Sequence, residues 1–149
     1  MIARISRVVL DAIRAEAARS GDEECCGLLL GGTGAAAGDI IELLPARNVA
    51  ADRRRRFEID PTALIAAHRA ERTGGRRIAG CYHSHPGGDA SPSQEDAEQA
   101  GANGWLWAIC AGPTGHIGLW RAVENGPVHG RFEPVETGIG EGASPPRAL

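Results

Sequence analysis

His83 and His85 stand one residue apart, closed by Pro86 and followed at fixed distance by Ser93 and Asp96. On an extended segment residues i and i+2 point the same way, so this spacing predicts two imidazoles offered to one ion. Asp96 adds an oxygen ligand from the element that follows. Two nitrogens and one carboxylate leave the fourth position of a tetrahedral zinc open to water, which is the arrangement of a catalytic site rather than a closed structural one. Water activated in this way needs a general base to take its proton and pass it to a leaving group. The upstream run Glu24-Cys25-Cys26-Gly27-Leu28-Leu29-Leu30-Gly31 supplies one in Glu24. Glu23 and Asp22 are the neighbours that a one-residue slip of strand register would substitute.

Together the two segments resemble the JAMM (MPN+/Mov34) metallopeptidase family. Its pattern is a glutamate shortly before a Cys-Gly-hydrophobic strand, then His-x-His-Pro, six residues, Ser, two residues and Asp. Here the six intervening residues are Gly87, Gly88, Asp89, Ala90, Ser91 and Pro92, and every motif position is filled. The resemblance runs from about residue 5 to about residue 135. It implies that His83, His85 and Asp96 hold one zinc ion per chain and that Glu24 is the acid/base. It also implies that Ser93 hydrogen-bonds the attacking water or the oxyanion formed from a carbonyl. Ser93 has a plainer alternative as a helix N-cap, since Ser-Gln-Glu-Asp opens a helical run, with Ser91-Pro92 as a competing start.

The implied fold is α/β (α+β), a curved mixed sheet flanked by helices as in the JAMM/MPN (cytidine-deaminase-like) fold. The implied activity is hydrolysis of a peptide or isopeptide bond after the C-terminal Gly-Gly of a ubiquitin-like or sulfur-carrier protein of the ThiS/MoaD type. Compact bacterial members of the family look like enzymes of this kind, and the chain shows no obvious large insertion. Three alternatives stand beside it. One is a deconjugating isopeptidase for a bacterial ubiquitin-like modifier. Another is a non-catalytic MPN scaffold, which the complete ligand set opposes. The third is a RadC-like protein associated with DNA repair, which the Glu-Cys-Cys-Gly strand and the acidic balance oppose.

The elements that must position these residues can be read from pattern. Ile5, Val9, Ile13 and Ala17 recur at helical spacing and predict an opening amphipathic helix that Ser20-Gly21-Asp22 ends. Residues 26–32 read as a buried strand, residues 33–38 as a Gly-rich turn and residues 39–44 as a second strand, followed by a short one at 57–59. Asp60-Pro61 starts a helix with Asp as N-cap, which runs to Gly74-Gly75. Residues 78–85 form the strand bearing both histidines, and a short helix over 94–102 carries Asp96 in its first turn. Strands over 105–111 and 116–123 are joined by Gly112-Pro-Thr-Gly115, and a last strand covers 131–135. The domain is expected to span residues 1–136, with residues 137–149 a disordered tail rich in Gly, Ser and Pro.

Composition narrows the rest. The 149 residues are 42% hydrophobic, enough for one domain with a core. A net charge of −3 and a pI near 5.9 provide no basic field for nucleic acid. All 16 basic residues are arginine, so the chain offers no lysine to a conjugation system. No apolar run reaches the ~20 residues of a membrane span, and the N-terminal segment lacks a signal-peptide core, which predicts a cytoplasmic protein. Cys25, Cys26, Cys81 and Cys110 form no Cys-x-x-Cys pair and read as buried reduced thiols. Cys81 shares the strand face of His83 and His85, but Asp96 already completes three ligands. His68, His116 and His129 lack ligand spacing and read as structural or surface residues. Trp105 and Trp107 share a strand face that predicts core, whereas Trp120 fits either core or rim. Arg53 to Arg56 reads as a solvated loop face or a contact for an acidic partner. The sequence does not select an oligomeric state.

Overall fold

The computed structural model describes residues 2–32 and 39–139. The expected turn at 33–38 and residues 140–149 of the expected tail lie outside the described residues. In chain order the elements are β1 (Ile2–Ile5), α1 (Arg7–Ser20), β2 (Cys26–Gly31), β3 (Ile40–Ala46), α2 (Pro61–Arg72), β4 (Ile78–His85), α3 (Gln94–Gln99), β5 (Leu106–Ala111), β6 (Ile117–Gly126), β7 (Gly130–Pro134) and β8 (Glu136–Ile139). The eight strands make one curved sheet in the order β7-β6-β5-β4-β2-β3-β1-β8. It is mixed: β4 runs parallel to β5 and β1 parallel to β3 and β8, while the other pairs are antiparallel. The strand with both histidines is therefore central, between β2 and β5.

Each sheet face buries a different set of side chains, as the period-2 alternation of β4 requires. Tyr82 joins Leu29, Ala108, Cys110 and the Val9, Leu10 and Ile13 stripe of α1 on one face. Cys81 joins Cys26, Trp107, Phe57, Phe132 and the small residues Ala97 and Ala100 around α3 on the other. On that second face α2 covers Leu28 and Ile78. His83 and His85 project from it. Gly80 lets β4 approach β5 closely, since a Cβ there would meet the Leu106 carbonyl oxygen at 1.8 Å.

Several boundaries differ from expectation for local reasons. Ile5 does not open α1. Ser6 is the N-cap, its side chain accepting from Val8 N–H, and residues 2–5 form a strand that the helical spacing of Ile5 and Val9 concealed. β3 continues through Pro45, which pairs with Gly27; the missing Cβ of Gly27 leaves space for the Leu44 carbonyl and the Tyr82 ring. Residues 57–59 contribute only an isolated bridge between Asn48 and Ile59. α2 begins at Pro61 on an Asp60 cap, as its sequence signature predicts. α3 stops at Gln99, three residues short of expectation.

The expected tail needs a correction at its start. Residues 136–139 form β8, whose Glu136, Thr137, Gly138 and Ile139 pair with Ile2, Ala3, Arg4 and Ile5. A strand partner at the sheet edge outweighs local Gly content. Among the described residues no helix is long and apolar enough to cross a membrane.

Candidate functional site

β4 ends at His85 and α3 begins one loop later, so the two histidines and Asp96 meet where strand and helix converge. His83 Nε2 lies 3.1 Å from Asp96 Oδ2, His85 Nε2 lies 3.2 Å from the same oxygen, and the two imidazole nitrogens are 3.1 Å apart. These three are the cluster among the described residues able to hold a metal ion. Ligand bonds of about 2.0–2.1 Å in a tetrahedron put donor atoms about 3.3–3.4 Å apart. The observed triangle is within a few tenths of an ångström of that edge, so the donor set fits zinc.

Each donor is oriented by a different device. His85 Nδ1 lies 2.8 Å from the Asp89 carbonyl oxygen, which fixes a proton on Nδ1 and leaves Nε2 as the lone-pair donor. His83 is fully buried and stacks on Phe57, with ring centroids 4.3 Å apart. Its Nδ1 has no hydrogen-bond partner among the described residues, so the ring is held by this packing and by the Nε2 contact to Asp96. Asp96 is held by a capping box: Ser93 Oγ accepts from Asp96 N–H at 3.0 Å, and Asp96 Oδ2 accepts from Ser93 N–H at 2.9 Å. Ser93 is thus the N-cap of α3, and its hydroxyl proton remains available to donate into the cleft. The start at Ser91-Pro92 is not used.

The charge states follow from burial and proximity. Burial works against a charge on Asp96, yet His83 and His85 outweigh it and hold the carboxyl well below its ordinary range. Burial lowers the pKa of the His83 imidazole, outweighing the charge and hydrogen bond of Asp96. His85 is also penalised by burial, but the Asp96 hydrogen bond and charge raise it overall. Glu24 is only 5% exposed. Burial pushes its carboxyl up to about 8, against the attraction of His85 and with help from Asp96, Glu95 and Asp52.

Glu24 lies two residues before the start of β2 at Cys26, and Cys26 pairs with His83 in the ladder. That register carries Glu24 to the same end of the sheet as His85. Both line a cleft of about 440 Å³ with Ser93, Glu95, Arg54 and Arg55. The alternatives Glu23 and Asp22 lie outside it and face arginines instead, at 3.2 Å to Arg53 and 3.3 Å to Arg54. Gly87 and Gly88 form the cleft's opposite lip.

All four cysteines are buried and free. Cys81 lies beneath the site, its thiol pushed well above its ordinary value by burial. His68 is exposed beside Glu71, and His129 contacts the Pro92 carbonyl at 3.1 Å. Trp107 is core and Trp105 half-buried beside it. Trp120 donates to the Ala90 carbonyl at 2.9 Å, bracing the loop between the histidines and Asp96. Phe57 and Asn48 carried no pattern that marked them as site residues, because their contacts depend on how the 47–60 segment folds back.

Residues 6–123 match the family described as prokaryotic homologs of the JAB domain. The chain is 35% identical over 73% of its length to the desampylase of Haloferax volcanii, covering 76% of that protein. It is 32% identical over 72% of its length to tail tip assembly protein K of Escherichia phage N15, covering 40% of that protein. A Thermus thermophilus protein named "Probable TtuB-protein conjugate cleaving protease" is 30% identical over 67% of this chain and 64% of its own. Among solved structures, a protein from Desulfitobacterium hafniense superposes with a TM-score of 0.77 at 23% identity, over 95% of this chain and 94% of that one. A JAB1/MPN domain protein from Archaeoglobus fulgidus gives 0.56 at 20%, over 92% of this chain and 99% of that one. With the family match spanning most of its length and the sheet shared with a JAB1/MPN domain, the chain belongs to the prokaryotic JAB/MPN family.

Proposed function

We propose that this chain is a zinc-dependent JAMM-type metallopeptidase that hydrolyses the peptide or isopeptide bond after the C-terminal Gly-Gly of a ubiquitin-like or sulfur-carrier protein. The observation that carries the reading is the sharing of one end of the sheet by two groups. Three donor atoms lie within 3.2 Å of one another, beside a cleft lined by a buried carboxylate whose Oε1 has no hydrogen-bond partner among the described residues. The desampylase relative and the relative named for cleaving a TtuB-protein conjugate support a conjugate as substrate.

His83, His85 and Asp96 would hold the ion, which when bound supplies Lewis-acid polarisation of a carbonyl and acidification of water. Glu24 is the group that accepts the water's proton and returns it to the leaving nitrogen. Its burial is useful here, because a carboxyl with a raised pKa both takes and gives a proton near neutrality. The Ser93 hydroxyl, with its oxygen already accepting from Asp96 N–H, donates to the developing oxyanion. A Gly-Gly tail suits the cleft because a chain without side chains brings its carbonyl closest to buried groups.

The test is incubation of zinc-loaded protein with candidate carriers bearing residues beyond Gly-Gly, or lysine-linked through it, followed by intact-mass measurement. The expected product ends at Gly-Gly, and changing the final Gly of the carrier to Val nearly abolishes it. Equal rates for Gly-Gly and Gly-Val carriers, or cleavage only of unstructured peptides, would leave a general peptidase and reject the carrier as substrate.

A further inference from the structure

Glu24 presents a positioning problem, because its buried Oε1 has no hydrogen-bond partner among the described residues. With no bond on that oxygen, the position of the carboxylate depends on how its main chain is held. That main chain is held on both sides: Glu24 N–H donates to the Arg53 carbonyl at 2.7 Å, and the Glu24 carbonyl accepts from Asn48 Nδ2 at 2.9 Å.

Asn48 does much more than this one bond. Its Nδ2 also donates to the Arg56 carbonyl at 3.1 Å, and its Oδ1 accepts from Ala50 N–H at 3.0 Å and Glu58 N–H at 3.1 Å. A primary amide has two N–H donors and two acceptor lone pairs, so all four are engaged. No other side chain of this length offers two of each: Asp lacks the donors and Ser the second one. The amide closes the neck of the loop formed by residues 49–58. That loop carries Phe57 onto His83 and Arg54 and Arg55 into the cleft.

We propose that Asn48 is the positioning residue of this site, tying the 49–58 loop to the Glu24 backbone and thereby setting where the Glu24 carboxylate points. The inference rests on the peptidase reading for its kinetic readout only. Asn48→Asp keeps both accepted bonds, deletes both donated ones and sets a carboxylate against the Glu24 and Arg56 carbonyls. The two accepted bonds that close the loop survive in it, while of the two ties to the Glu24 backbone the Asn48 one is lost and the Arg53 one remains.

The experiment compares wild type and Asn48→Asp on a Gly-Gly-extended carrier, with zinc stoichiometry measured in parallel. We expect kcat to fall roughly 100-fold, the scale of an ångström-sized misplacement of a catalytic group, with KM and zinc content nearly unchanged. In a Glu24→Gln background the same substitution should add little, because both changes remove one contribution. If Asn48→Asp does not fold, Asn48→Ser, with one donor left, is read in the same way. Wild-type kcat in the variant, or a fall in kcat fully matched by a loss of zinc, overturns the proposal. A second readout needs no activity: in the wild-type protein the Asn48 side-chain amide protons should exchange with solvent far more slowly than those of an exposed asparagine. Fast exchange overturns the proposal as well. A wild-type protein that cleaves no carrier rejects the functional reading instead, and the exchange measurement still decides whether Asn48 holds the loop.

Discussion

Ser84 and Cys25 exchange two hydrogen bonds, from Ser84 N–H to the Cys25 carbonyl at 3.2 Å and from Cys25 N–H to Ser84 Oγ at 3.0 Å. The pair extends the β2–β4 ladder one step past Cys26 and His83, so the residue before it, Glu24, is delivered to the histidines. Ser84→Ala leaves the Cys25 N–H buried without its acceptor. Such a loss costs about 1–3 kcal/mol, which a shift in the urea midpoint at unchanged slope would register. An unshifted midpoint would mean that water reaches the Cys25 amide.

The metal assignment predicts about one zinc per chain. His83→Ala or His85→Ala should remove most of it, because two remaining donors cannot fix a tetrahedral ion. Elemental analysis showing full zinc in the double variant would reject the site.

Glu24→Gln separates proton transfer from metal binding. The amide keeps the shape and cannot take a proton, so turnover should fall by ~10²–10⁴-fold while zinc content stays at the wild-type level. Near-normal turnover would return the role to Glu23 or Asp22, although both are exposed to arginines rather than to the cleft.

How much of this was legible in the sequence follows from what each signal depends on. The convergence of the histidine pair and Asp96 was readable because period-2 projection and a helix's first turn are local properties, whereas Glu24 was readable only through its spacing before the Cys-Gly strand and the family resemblance. Asp60-Pro61 was readable because a helix start is likewise local. β1 and β8 were not, since each is four residues of weak pattern that become a strand through distant partners: β1 lies between β3 and β8, and β8 pairs with β1 more than a hundred positions away. Phe57 and Asn48 were equally silent, being an ordinary aromatic and an ordinary loop amide until the 49–58 loop closes. Ser93 was readable as an N-cap from Ser-Gln-Glu-Asp, and the capping box bears that reading out.

A pH experiment on metal-free protein follows from Glu24. Its carboxyl is raised by burial from an ordinary 4.5 to about 8, so the folded state binds that proton more tightly than the unfolded chain does. The associated stability is full below 4.5 and is lost as pH rises through about 8. Urea midpoints of the metal-free wild type should therefore decline across that window, and Glu24→Gln should decline less. Because Glu24 and His85 attract one another, the difference between the two curves reports Glu24 together with its coupling to His85. Parallel curves would show that the carboxylate is solvated.

The ligand donors are split between a strand and a helix, and this makes the ion a staple as well as a reagent. An ion gripped by His83, His85 and Asp96 would close a covalent-like ring around the Pro86 to Ser93 stretch, whose tip is the Gly87-Gly88 turn. Chelation would then open that ring and leave the turn tethered chiefly by Trp120 and by the Asp89 contacts to His85 and Ser91. Susceptibility to a protease at Gly87-Gly88 becomes a gauge of occupancy, readable on a gel without any substrate.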